Sequence, residues 1–174
     1  YNLLAWMILP IMDGFAKYLS YDMPVLQITW ARYFFTVVFT LPVMFFFFRK
    51  SLVWTDKPKL QFLRGLILLS ANICFFYSIS VISLAKALTL AFIAPLIVTA
   101  FSPIFLGEKV GFRRWSAVVI GFIGSLVVIR PGFVEINFAS LAALGTGIMY
   151  GFYLIITRKL STSDNPLLTL LLTG

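Results

Sequence analysis

Six apolar runs dominate this chain of 174 residues, over residues 3–19, 25–48, 62–82, 84–106, 112–129 and 138–156. Each is about as long as the roughly 20 residues that a helix needs to cross some 30 Å of hydrocarbon. Only 11% of the residues are charged and 61% are hydrophobic, with a mean hydropathy of +1.00, whereas a soluble domain carries about 25% charged residues. The expected fold class is therefore an all-α integral membrane protein, a polytopic helix bundle. A further apolar stub, residues 166–174, is too short to cross. With a start at Tyr1 instead of Met, it reads as the opening of a seventh span in a longer protein. A surface-lying tail is the alternative, but Leu167 to Leu172 lack the polar face that an interfacial helix carries.

The first and sixth runs are related. Ile11-Met12-Asp13-Gly14-Phe15 returns as Ile148-Met149-Tyr150-Gly151-Phe152, and Leu4-Ala5 returns at the same offset as Leu141-Ala142. Pro24-Val25-Leu26 is echoed by Pro166-Leu167-Leu168 once a short loop insertion is allowed. The sixth run follows the first by an odd number of crossings, so the second copy enters the membrane upside down. Inverted repeats of this kind build many secondary transporters. The expected organisation is a first five-helix repeat over residues 1–132 and the truncated start of a second over 133–174.

Positive charge sets the orientation. Arg49, Lys50, Lys57, Lys59 and Arg64 flank the second loop, Lys109, Arg113 and Arg114 the fourth, and Arg158 and Lys159 the sixth. The odd loops offer only Lys86 and Arg130, so the even loops and the N-terminus are expected in the cytoplasm. The first apolar stretch carries Asp13 and Lys17 and no small-residue cleavage site, so it does not read as a signal peptide. The predicted location is the inner membrane, multi-pass. The net charge of +8 falls in short clusters between spans and forms no continuous basic stripe, which argues against nucleic acid as a partner.

Asp13 lies near mid-depth in the first span, where a charge costs about 2.5–3.5 kcal/mol on insertion scales. Lys17 follows one turn later in the favourable acid-first order, and Arg32 reaches a similar depth in the second span. The three form a candidate buried triad with one uncompensated positive charge. Either it locks the first two spans together, or it faces a water-filled cavity where the spare charge meets an anionic group of cargo, or Asp13 carries a proton. Polar stripes favour the cavity: Thr29, Arg32, Thr36 and Thr40 share a helical face, as do Thr146, Tyr150, Tyr153 and Thr157. Ser70, Cys74 and Tyr77 make a weaker stripe, with Asn72 on another side. The predicted substrate pathway comprises Asp13, Lys17, Arg32, Thr36, Tyr77, Tyr150 and Tyr153.

Pro95 and Pro103 in the fourth span cannot donate to the carbonyls of Ala91 and Thr99, so a kinked or broken helix is expected there. Gly147 and Gly151 make a GxxxG face that permits close helix approach. Glu108, Arg113 and Arg114 sit in the predicted cytoplasmic turn after that span. With no His in the chain, metalloprotease and Ser/His chemistry are absent, and Asp13 is the lone carboxylate at depth, which leaves an aspartyl pair incomplete. Cys74 is the only cysteine. No enzyme activity, metal or cofactor is expected.

Met12-Asp13-Gly14-Phe15-Ala16-Lys17-Tyr18-Leu19, Trp30-Ala31-Arg32-Tyr33-Phe34, Leu63-Arg64-Gly65, Ala94-Pro95-Leu96, the Leu106-Gly107-Glu108-Lys109-Val110 turn with Arg113-Arg114-Trp115, and Gly121-Phe122-Ile123-Gly124 with Arg130-Pro131-Gly132 resemble, in order and spacing, the drug/metabolite transporter superfamily in its EamA branch. The pattern of Asp13, Lys17 and Arg32 is similar to the subgroup with S-adenosylmethionine uptake transporters. The resemblance implies ten membrane helices in two inverted halves, a central cargo cavity and alternating access. The expected function is carriage of a small polar or zwitterionic metabolite of amino-acid, nucleoside or cofactor type. A non-transporting membrane subunit or channel component is the alternative. The expected partners are the lipid bilayer and the small-molecule metabolite, with a homodimer left open.

Overall fold

The computed structural model describes residues 2–47, 57–129 and 137–161. The stub at 166–174, Arg130-Pro131-Gly132, Arg49, Lys50 and the repeat boundary at 132/133 lie outside the described residues. Those described form helices α1 (Asn2–Leu19), α2 (Val25–Phe47), α3 (Pro58–Val81), α4 (Leu84–Ala91), α5 (Ala94–Leu106), α6 (Phe112–Ile129) and α7 (Phe138–Leu160).

Local chemistry places the ends. Pro58 opens α3, where a residue lacking an N–H costs nothing. Asn137 opens α7 by accepting the Ser140 N–H on Oδ1 at 2.9 Å. Gly107 closes α5 in the left-handed region at φ 69, a conformation that side chains with a Cβ resist. The fourth apolar run is the broken one: α4 stops at Ala91, Phe92 and Ile93 form a turn, and Pro95 lies in the first turn of α5. Proline suits that place because its missing donor is one that a helix start leaves unpaired anyway. Pro103 sits inside α5, its carbonyl accepting the Gly107 N–H at 3.2 Å.

Three segments are long and apolar enough to cross a membrane among the described residues: Pro58–Val81, Leu84–Leu106 and Phe138–Leu160. α7 packs chiefly on α3 and on the α4–α5 pair. Arg64 meets Tyr153, Thr146 Oγ1 donates to the Ala71 carbonyl at 3.3 Å, and Tyr77 meets Phe138. Residue numbers thus rise on α3 as they fall on α7, and the two helices are antiparallel. That relation needs α4 and α5 to make one crossing together; had the chain turned back at Phe92, α3 and α7 would be parallel.

α1 and α3 are parallel, because Lys17 near the end of α1 bonds the carbonyls of Ile79 and Ile82 at the end of α3. It follows that α1 and α7 run in opposite senses. The apolar core lies toward that same end, where Ala16, Ile28, Phe75, Phe76, Ile79, Ile82, Ala87, Ala139 and Ala143 pack together. At the other end Glu108 Oε1 holds Arg158 Nη2 at 2.8 Å and its Oε2 lies 3.8 Å from Arg114 Nη1. The turn after α5 and the end of α7 therefore share a face of the bundle.

Candidate functional site

The polar centre of the bundle is built around Arg32. One guanidinium nitrogen donates to Asn72 Oδ1 at 3.1 Å, and its carbon lies 5.7 Å from the Phe76 ring centre. The Asn72 amide in turn donates to the Tyr33 hydroxyl at 2.7 Å. Asn72 is thus spent on both sides, oxygen toward the cation and nitrogen toward the phenol, which holds α2 to α3. Asp13, Tyr33 and Tyr150 all lie within electrostatic reach of Arg32. The side chain is only half-buried, and the bond to Asn72 occupies one of several N–H donors.

α7 supplies the aromatic wall. Tyr150 and Tyr153 stack with ring centres 5.5 Å apart, and the Arg64 guanidinium sits 5.6 Å from the Tyr153 centre. Tyr33 and Tyr153 also lie within electrostatic reach of each other. One arginine therefore acts on Tyr150 and a second, buried one contacts Tyr153. Guanidinium groups over aromatic faces gain about 0.5–2 kcal/mol each, more as water is excluded.

The expected pathway residues do not all converge. Lys17 is committed elsewhere: its ammonium donates to the carbonyls of Ile79 and, at 3.2 Å, Ile82, with the Tyr21 ring 5.2 Å away. Terminal carbonyls of a helix have no intrahelical donor and carry partial negative charge, so α3 outcompetes Asp13 for the cation. Among the described residues Asp13 makes no ion pair, and Arg32 is the charge that acts on it. The expected triad is thus not a contiguous ion-paired set. Thr36 Oγ1 donates back to the Arg32 carbonyl at 2.7 Å and Thr29 Oγ1 to that of Val25 at 2.8 Å, so these hydroxyl donors serve their own helix. Tyr77 packs edge-on against Phe138 at 5.9 Å and takes no part in the Arg32 contacts.

Four contributors are not singled out by the sequence pattern. Asn72 falls off the Ser70–Cys74–Tyr77 stripe, yet an amide deep in an apolar run is itself a signal. Tyr33 hides among aromatics. Arg64 counts as a topology charge although it lies well inside α3 and is 1% exposed. Arg158 likewise reads as a flanking charge, whereas it is the main partner of Glu108; Arg113 is exposed. The break at Phe92 and Ile93 lies just ahead of Pro95, and Gly147 and Gly151 pack closely there as the GxxxG spacing suggests.

Comparison with known proteins gives the family. Residues 3–130 match the EamA-like transporter family. The S-adenosylmethionine uptake transporter of Rickettsia bellii is 25% identical over 88% of this chain and 52% of its own length. The riboflavin transporter of Vibrio cholerae is 36% identical over 47% of this chain and 27% of its own. The pseudopaline exporter of Pseudomonas aeruginosa is 28% identical over 70% of this chain and 42% of its own. The chain spans about half the length of the Rickettsia relatives, and no solved structure matches it. Matched over most of its length and helical in all its described elements, this multi-pass membrane chain belongs to the EamA-like transporter family.

Proposed function

We propose that the whole protein is an inner-membrane carrier that moves a small polar or zwitterionic metabolite by alternating access, with the N-terminus in the cytoplasm. Residues 1–132 are its first repeat and the second begins at 133. The observation that carries the reading is Arg32, a half-buried cation within the second helix, bonded to Asn72 and within electrostatic reach of Asp13, Tyr33 and Tyr150. A carboxylate or phosphate of cargo adds charge-assisted hydrogen bonds to the remaining donors of Arg32, worth about 1.5–3 kcal/mol. A cargo cation faces the Asp13 carboxylate, and a planar ring stacks on Tyr150 and Tyr153. S-adenosylmethionine, the cargo named for the Rickettsia relatives, has an acid, cations and a planar base, and it heads the panel to be tried. The broken α4–α5 span against α7 is the element that rocks, since a helix already interrupted at Phe92 and Ile93 bends at little further cost.

The test is uptake of a metabolite panel by the full-length protein in proteoliposomes. Arg32→Gln is expected to lower transport of the accepted cargo by about tenfold to a hundredfold, each tenfold being about 1.4 kcal/mol, with the protein still folded by thermal melting. Unchanged uptake by this variant and by Asp13→Asn would remove the site. Absence of transport for every metabolite would favour a structural subunit.

A further inference from the structure

The second arginine of the site, Arg64, lies well inside α3 and is 1% exposed, so its long side chain has given up its rotamer freedom. Its guanidinium lies over the Tyr153 ring, 5.6 Å from the centre. Tyr153 in turn stacks with Tyr150, one turn back on α7, the ring centres 5.5 Å apart and the planes 27° from parallel. Exposure rises along the series: Arg64 is buried, Tyr153 half-buried and Tyr150 40% exposed. The outermost ring is the one that Arg32 reaches.

The two tyrosines are not part of the duplicated scaffold. Their repeat counterparts on α1 are Asp13 and Ala16, and Ala16 is packed in the apolar core. Neither tyrosine belongs to that core. Two flat rings held outside the core, with a buried guanidinium at one end and the open ring at the other, make a platform for a third flat ring.

We infer that Arg64 is a positioning residue for cargo recognition: by fixing Tyr153 it holds the Tyr150–Tyr153 stack in place, and the carrier thereby prefers acid-bearing metabolites that carry a planar base. The inference rests on the carrier reading and deepens it. A tyrosine with an open face on a helix turns between staggered rotamers, and a cargo ring that lands on it must immobilise it. Arg64 removes that cost beforehand, because a guanidinium is planar and stacks on an aromatic face, the more firmly where water is excluded. Tyr150 then offers its ring beside the cation that takes the acid of the cargo, so acid and ring are read together. Arg64 itself, at 1% exposure, acts through Tyr153 and not on cargo directly.

The experiment measures the dissociation constants of two probes by titration calorimetry on the full-length protein in lipid nanodiscs. S-adenosylmethionine carries a planar base; S-methylmethionine has the same sulfonium amino acid without it. The ratio of the two constants reports the ring and cancels what the probes share. The unsubstituted protein is expected to bind S-adenosylmethionine about tenfold more tightly, the order of one base stacked on an aromatic side chain. Tyr153→Leu, which removes the ring under Arg64, is expected to lower that preference about fivefold, and Arg64→Lys, which keeps the charge but not the planar fork, about threefold. Combined, the two substitutions are expected to lower it no further than Tyr153→Leu alone, because Arg64 acts through that ring. A preference unchanged in Tyr153→Leu or in Arg64→Lys, a further fall in the double variant, or equal losses for both probes, as a merely structural role would give, each overturns the inference. So does an unsubstituted protein that binds the two probes equally or binds neither. The carrier reading fails separately: uptake of any panel metabolite that Arg32→Gln lowers keeps that reading, whatever Arg64 does.

Discussion

At Arg32 a charge that the bilayer would otherwise penalise is kept in place by the Asn72 amide beside the Phe76 ring. Asn72→Ala removes the anchor at 3.1 Å without touching the charge, so cargo must order the guanidinium itself. The apparent KM of the accepted cargo is expected to rise about tenfold, the equivalent of one charge-assisted hydrogen bond, with a smaller change in maximal rate, as read in proteoliposome kinetics. Lys17 behaves differently because its donors close the end of α3. Lys17→Met should cost about 1.5–3 kcal/mol of stability, seen as a lower melting temperature, while the KM stays near its original value. A large KM change with unaltered melting would return Lys17 to the cargo path. Asp13, Arg32, Tyr150 and Tyr153 stand out in the sequence as candidates because charge, or hydroxyl and ring, inside an apolar run has few uses. The partner of Lys17 could not, because backbone carbonyls leave no mark in the side-chain sequence.

Among the elements, the fourth span and α7 define each other. Pro95 made a break foreseeable, and the spacing of Gly147 and Gly151 made a close helix contact foreseeable, but nothing in either pattern joined the two. In the structure they are one contact, with backbone of the break seated on the bare glycines. Gly147→Ala should cost about 1–3 kcal/mol through overpacking, since the new methyl meets carbonyl and Ile93 Cγ2 and not a flexible side-chain end. Gly145→Ala on the same helix meets nothing within 4 Å and should be neutral or stabilising by up to about 1 kcal/mol from helix propensity. Thermal melting of the two variants side by side measures the difference; equal melting points would mean that the break and α7 are not in contact.

For the molecule as a whole, the same direction argument ties the sequence repeat to the bundle. Antiparallel α3 and α7, with α1 parallel to α3, give α1 and α7 the opposed senses that an inverted repeat requires, and the Glu108–Arg158 pair at 2.8 Å puts two of the basic clusters at one end. A reporter fused within residues 51–56 is expected to read as cytoplasmic, as is one after Arg158, while one in the loop before Asn137 reads as outside. A reporter after Arg158 on the side opposite to that at 51–56 would overturn the topology.

The sequence by itself determined the class, the family and the approximate course of the apolar runs, since these follow from hydropathy and helix length, which act along one dimension. It did not determine which polar groups meet. Whether Lys17 bonds Asp13 or the end of α3, whether Asn72 is incidental or the anchor of Arg32, and which helix the glycines of α7 receive are competitions between partners distant in the chain and similar in strength. Only the packing of the bundle, by setting which groups come within about 3 Å, decides them.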